Sequence, residues 1–154
     1  ISVEWKHNGR SMRLIDTAGL RRRSKIQDKV ETLSTKDSFR AIQYAQIVVL
    51  VLDGNLMLEK QDLTIARQVV EEGRILMIAV NKWDIVSNRT QALKKLGDRL
   101  QTSLPQVRGI SIITLSALTG QNINKLIPKA FDVFEIWNKR ISTSKLNQWL
   151  MMMT

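Results

Sequence analysis

Asn81-Lys82-Trp83-Asp84 brings an amide, an ammonium and a carboxylate together at the end of an apolar run. A carboxylate in such a place can accept two hydrogen bonds from guanine, at N1–H and at the exocyclic N2 amine. Adenine has an acceptor at N1 and lacks that amine. A buried acceptor without a donor is costly, so Asp84 would favour guanine over adenine. The Lys82 stem can lie along a base plane with its ammonium in water, and Asn81 can tie the loop to its neighbours through its amide. Ser116-Ala117 follows a later apolar run, where the Ala117 backbone N–H could meet guanine O6. Taken singly, each segment also reads as an ordinary polar loop after a strand.

Asp16-Thr17-Ala18-Gly19 could supply the phosphate end of the same ligand. Asp16 closes the run Met12 to Ile15, so its carboxylate would emerge at the carboxyl edge of a sheet, where open α/β folds bind ligands. An aspartate there can hold Mg²⁺ through water, and Gly19, with no Cβ, lets a backbone N–H approach a γ-phosphate closely. Loss of that phosphate would release the following loop, which is how a nucleotide switch works. An Asp-initiated turn is the plainer alternative. The phosphate cradle Gly-x-x-x-x-Gly-Lys-Ser/Thr that usually accompanies these groups occurs nowhere in the 154 residues.

Strands and helices in alternation must carry these segments. Ile1 to Trp5 and Ser11 to Asp16 are β-rich and flank Lys6-His7-Asn8-Gly9-Arg10, a strong hairpin signal. Arg21 to Ser24 is basic and polar, and Val30 to Ala45 carries apolar residues at helical spacing. Ile47 to Leu52 and Ile75 to Val80 are continuous apolar runs, the pattern of strands buried on both faces. Asp62 to Glu72 predicts a helix stopped by Gly73, and Asn88 or Arg89 to Ser103 another that stops before Pro105. Ile110 to Leu115 predicts a last strand, and Asn122 a cap for a helix running to about Arg140, with Pro128 delaying or bending it. A polar break, Ile141 to Ser144, precedes Lys145 to Thr154. That tail predicts either a terminal helix or the first helix of a further domain. The whole is an α/β fold with a largely parallel sheet.

Composition narrows the classes. A chain with 44% hydrophobic and 25% charged residues can bury the core of one domain. The run Ile47 to Leu52 is far too short for a membrane span, and Ile1 to Trp5 has no signal-peptide character, so no membrane partner is expected. Without an initiator methionine, the chain is expected to be part of a longer polypeptide. Zero cysteines exclude disulfide partners and thiolate metal sites and fit a cytoplasmic location. His7, the single histidine, is expected in a turn and solvated, too little for a histidine metal site or triad. A net charge of +10 suits RNA or a ribonucleoprotein surface, with ordinary solubilising charge as the alternative.

The three motifs in this order resemble the translation-factor class of P-loop GTPases. More specifically, Asp16-Thr-Ala-Gly-Leu-Arg-Arg-Arg23, Asn81-Lys-Trp-Asp84, Ser116-Ala-Leu-Thr-Gly120 and Trp137 to Leu150 resemble the second G domain of the Der (EngA) family. That bacterial family has two tandem GTPase domains and a C-terminal KH-like domain, and acts in assembly of the large ribosomal subunit. The resemblance covers nearly the whole chain. It implies a Ras-like P-loop GTPase domain over residues 1–140, with a mostly parallel sheet and an N-terminal antiparallel hairpin. Residues 141–154 would be a linker and the start of the KH-like domain.

The resemblance further implies GTP or GDP as ligand with Mg²⁺, and the large ribosomal subunit or its RNA as partner. Asp16, Thr17, Ala18 and Gly19 would face the phosphates, with Asp16 toward the metal. Asn81, Lys82 and Asp84 would read the base, and Ser116 and Ala117 would close over it. Leu20 stands where Ras-type enzymes place a glutamine that orients water, as in the family, so no catalytic residue is assigned. Slow GTP hydrolysis raised by K⁺ or by a ribosomal partner is implied. The family's phosphate loop would precede Ile1, and its first strand would lie between the strands ending at Asp16 and Asp53. Without that strand, two inner sheet edges would lack partners. A different class remains open: a catalytically inactive, basic RNA- or ribosome-binding module using Arg21 to Arg23 and the Lys/Arg-rich helices.

Overall fold

Alternation around Asn8-Gly9 folds the start of the chain into a hairpin, β1 (Ser2–His7) and β2 (Arg10–Ile15), in the computed structural model, which describes residues 2–16, 40–139 and 151–152. Trp5 lies opposite Met12 and His7 opposite Arg10. Asn8 and Gly9 both take positive φ, 49° and 77°, as a two-residue turn matched to strand twist requires.

Three parallel strands form a second sheet in the order β3 (Ile47–Asp53), β4 (Ile75–Asn81), β5 (Ser111–Thr114). Helices α1 (Lys60–Glu71), α2 (Arg89–Ser103) and α3 (Ile123–Asn138) connect or follow them, and residues 40–44 are also helical. The first two of these helices have side-chain contacts at their heads. The Asp62 carboxylate accepts from the Glu59 N–H at 2.8 Å at the head of α1, and Asn88 Oδ1 accepts from the Gln91 N–H at 3.1 Å at the head of α2. Gly73, at φ +66°, ends α1 as expected: its N–H reaches Val70 O and that of Arg74 reaches Val69 O, both at 3.0 Å. Among the described residues no helix is long and apolar enough to cross a membrane.

The core lies between the parallel sheet and its helices. Leu52, Leu58, Ala66, Val69, Ile78, Val80, Leu96 and Leu104 are almost fully buried there, and each large aliphatic side chain so buried contributes roughly 1.5–3 kcal/mol.

Several expectations need correction. Strand β4 is buried throughout its apolar run, but β3 is not: it is an edge strand among the described residues, paired with β4 alone, and Val51 is 54% exposed. His7 ends β1 and is half-buried, its ring stacked on Phe131 of α3 with 6.2 Å between centroids. Asn122 precedes α3 but does not cap it by its side chain. Its φ is +58°, and its Nδ2 donates instead to Thr114 O at 3.0 Å. Pro128 neither delays nor interrupts α3, sitting in its second turn, and the last strand is trimmed to Ser111–Thr114. Residues 30–39 of the helix expected over Val30 to Ala45, and all of the 141–154 segment but 151–152, lie outside the described residues. Strands β2 and β3 belong to separate sheets, each paired on one side only among the described residues.

Candidate functional site

Parallel strands deliver their carboxyl ends to one edge, so the loops after β3, β4 and β5 emerge side by side. Register makes this tight: Asp53 pairs with Asn81, and Val80 with Thr114.

Asn81 is the hub. Its side-chain Oδ1 accepts from the Lys82 N–H at 2.7 Å and from the Ala117 N–H at 2.9 Å, while its backbone carbonyl accepts from the Gly54 N–H at 2.8 Å. The Trp83 N–H donates to Leu115 O at 3.1 Å. All three loops are thereby pinned to one another, which is the tie expected of Asn81. The Ala117 N–H is engaged by Asn81, so contact with a base oxygen would have to be shared with that bond.

Lys82 adopts a left-handed backbone, φ +61° and ψ +33°, which costs a side-chain-bearing residue roughly 1–2 kcal/mol. Its ammonium meets Asp53 Oδ2 at 2.7 Å. The hydrogen bond from Lys82, aided by the Asn55 N–H at 2.9 Å, holds the Asp53 carboxyl below the usual carboxylate range. Trp83 anchors the loop in the core at 5% exposure, and Arg89 covers it, with Nη2 donating to Trp83 O at 3.2 Å and its guanidinium 5.9 Å from the ring centroid. Asp84 sits in the 3₁₀ turn Trp83–Ile85, half-buried, its carboxylate without a hydrogen-bond or ion-pair partner among the described residues. Ser116 is fully buried; its Oγ accepts from the Thr119 N–H at 3.2 Å and its carbonyl from the Gly120 N–H at 2.9 Å, closing the loop on itself.

Asn81, Lys82, Asp84, Ser116 and Ala117 therefore converge. Asp16 ends β2 and is exposed on the separate hairpin sheet; Thr17, Ala18, Gly19, Leu20 and Arg21 to Arg23 lie outside the described residues. Two residues of this edge were not singled out from sequence, Asp53 and Gly54. A Cβ on Gly54 would lie 2.6 Å from Val86 Cγ2 and 3.0 Å from Asn81 O, so only glycine lets the first loop approach the second. Their signal was a polar residue closing an apolar run, as Asn81 and Ser116 do at the other two loops, here followed by glycine.

Residues 1–82 match the family described as 50S ribosome-binding GTPase. Curated relatives include GTPase Der of Bartonella tribocorum, 51% identical over 97% of this chain and 32% of that protein, and GTPase Der of Brucella anthropi, 47% identical over 97% and 31%. The chain thus spans about a third of the length of the curated relatives it matches. Among solved structures, a probable GTP-binding protein engB superposes with a TM-score of 0.69 at 22% identity, covering 88% of this chain and 82% of that one. An Aquifex aeolicus Era variant bound to GDP and aluminium fluoride gives a TM-score of 0.57 at 18% identity, covering 70% and 36%. These structural likenesses establish the α/β P-loop GTPase fold.

Proposed function

The chain belongs to the 50S ribosome-binding GTPase family, and on that premise we propose that it is the guanine-nucleotide domain of a cytoplasmic bacterial GTPase that assists large-subunit ribosome assembly. In the intact protein it hydrolyses GTP to GDP and phosphate. Residues 1–140 form part of the second G domain of a tandem GTPase, and residues 141–154 lead into a KH-like domain. The likeness to GTPase Der over 97% of the chain supports both assignments.

One observation carries the base-reading assignment: Asn81 Oδ1 holds the amides of Lys82 and Ala117 together, next to a half-buried Asp84 carboxylate that has no described partner. Asp84 accepts guanine N1–H and the N2 amine, the Lys82 stem covers the base, and Ser116 shapes the closing loop from which Ala117 shares its N–H with O6. Asp16 and Gly19, with Thr17 and Ala18, serve the phosphates. Magnesium ordinarily keeps several waters and takes one or two carboxylates plus phosphate oxygens, so a single exposed Asp16 fits it, and no cluster of three acidic or histidine ligands exists among the described residues. The ion would neutralise phosphate charge, and K⁺ or the ribosome would raise a slow hydrolysis that Leu20 cannot assist.

Calorimetric titration with GDP, ADP and xanthosine diphosphate in Mg²⁺ tests this reading. GDP binds and ADP does not. Asp84→Asn weakens GDP by about 10- to 100-fold, the worth of one or two charge-assisted hydrogen bonds, and improves xanthosine diphosphate, whose 2-oxo group accepts from the new amide. Equal affinities for GDP and ADP, or an indifferent Asp84→Asn variant, would overturn it.

A further inference from the structure

Asp53 lies at the carboxyl end of β3, in register with Asn81, and its two carboxylate oxygens do different work. Oδ1 accepts from the Asn55 N–H at 2.9 Å, which belongs to the local turn. Oδ2 reaches across to the next strand's loop and takes the Lys82 ammonium at 2.7 Å. The Asp53 side chain is 15% exposed while that of Lys82 is 58% exposed, so the carboxylate is held in the protein and the lysine reaches it from the solvent side. A left-handed backbone at Lys82 is unfavourable for a residue bearing a Cβ, and a long, exposed ammonium would ordinarily sample many rotamers. Two contacts select this one geometry, the Lys82 N–H on Asn81 Oδ1 and the Lys82 ammonium on Asp53. The neighbouring Gly54 N–H grips Asn81 O, so the end of β3 braces backbone and side chain of the second loop together.

We infer that Asp53 is a positioning residue for guanine recognition: it touches no ligand, but holds the Lys82 side chain in the orientation from which its stem covers the base. This deepens the guanine-reading proposal above and rests on it. The same contact keeps the Lys82 N–H on Asn81 Oδ1, and so maintains the Asn81 tie to Ala117 before any nucleotide arrives.

Two measurements on the same purified chain test it. The first uses no nucleotide: amide hydrogen exchange by NMR, comparing the parent, Asp53→Asn and Lys82→Met. Asp53→Asn should speed exchange of the Lys82 and Ala117 amides by about tenfold, the equivalent of one charge-assisted hydrogen bond, with the Ile78 amide of the central strand unchanged. Unchanged exchange at Lys82 and Ala117 overturns the inference. If Asp53→Asn also speeds Ile78, Lys82→Met probes the pair from its exposed side and must loosen Ala117 in the same way; an unaffected Ala117 amide there overturns the inference.

The second is GDP titration of the two single variants and the double variant. Each single change should weaken GDP by about 3- to 10-fold, as for a partly exposed ion pair that acts on the ligand through its lysine, and the double variant should lose no more than Lys82→Met alone. Losses that multiply would mean that Asp53 acts through the Asn55 turn and not through Lys82, and would overturn the inference. Failure of the parent to bind GDP would count against the guanine reading, and the exchange experiment would still decide whether Asp53 sets the loop.

Discussion

At the scale of single residues, charge at the loop edge should make stability depend on pH in a defined window. The Asp53 carboxyl sits below its ordinary value chiefly because of the Lys82 hydrogen bond, so its ionised form is favoured by folding. A group with a depressed folded pKa stabilises the protein above its unfolded value, near 3.8, and loses that stabilisation as pH falls through the lower folded value. Urea midpoints measured from pH 6 down to pH 2 should therefore fall more steeply for the parent chain than for Asp53→Asn, with the two curves parallel above about pH 5. Identical acid limbs would mean that Asp53 is not preferentially ionised in the folded state. From sequence, Asp84 is a candidate by its side-chain chemistry alone, and the structure places it half-buried in the turn that follows Lys82. Sequence reading missed Asp53 because an aspartate at a strand end acquires a role only from the lysine that the neighbouring strand brings to it.

At the scale of elements, the turn end of the hairpin meets α3. His7 stacks on Phe131, the Arg10 guanidinium lies 5.3 Å from the same ring, and Arg10 pairs with Glu135 one helical turn further along α3. Val3, Trp5 and Leu14 are about half exposed on the rest of the hairpin. A two-stranded hairpin alone is marginal in water, so this clasp should set its local stability. Replacing Phe131→Ala should cost about 1–2 kcal/mol, from the lost aromatic stack and cation–π contact. That cost should appear as faster amide exchange across β1 and β2, with β4 unaffected. Hairpin exchange equal to the parent's would show that other contacts secure it. Asn8-Gly9 announced the hairpin locally, because two left-handed residues in succession are a short-range property. The clasp on α3 joins elements far apart in the chain, and no local pattern announces it; His7 looked like a solvated turn residue for that reason.

At the scale of the whole molecule, excess positive charge is carried on the outer faces of the helices. Lys94, Lys95 and Arg99 on α2 and Lys125 and Lys129 on α3 are all exposed, within a net charge of +10. A basic surface that meets RNA binds by releasing counterions, so under the proposed ribosomal partnership affinity for a single-stranded RNA should fall with salt at a log–log slope of about −0.7 per phosphate engaged. Fluorescence anisotropy between 50 and 300 mM KCl, with and without GDP, would measure it. A slope near zero would assign the charge to solubility alone.

The sequence by itself determined the elements and the candidate loops. Continuous apolar runs made Ile75 to Val80 a buried strand, Asn88 and Pro105 bounded α2, Gly73 ended α1, and Asn81 to Asp84 stood out as a polar loop segment whose groups suit a base. These depend on neighbours within a few residues, and backbone preference acts over that range. Tertiary structure alone decided the sharing of Asn81 among three loops, the seat of Lys82 on Asp53, the requirement for glycine at residue 54, the transfer of Asn122 from helix cap to strand tie, and the partial exposure of β3. Each is a contact between strands or loops whose register is set by packing the sheet against its helices, and register across a sheet is a property of the fold as a whole.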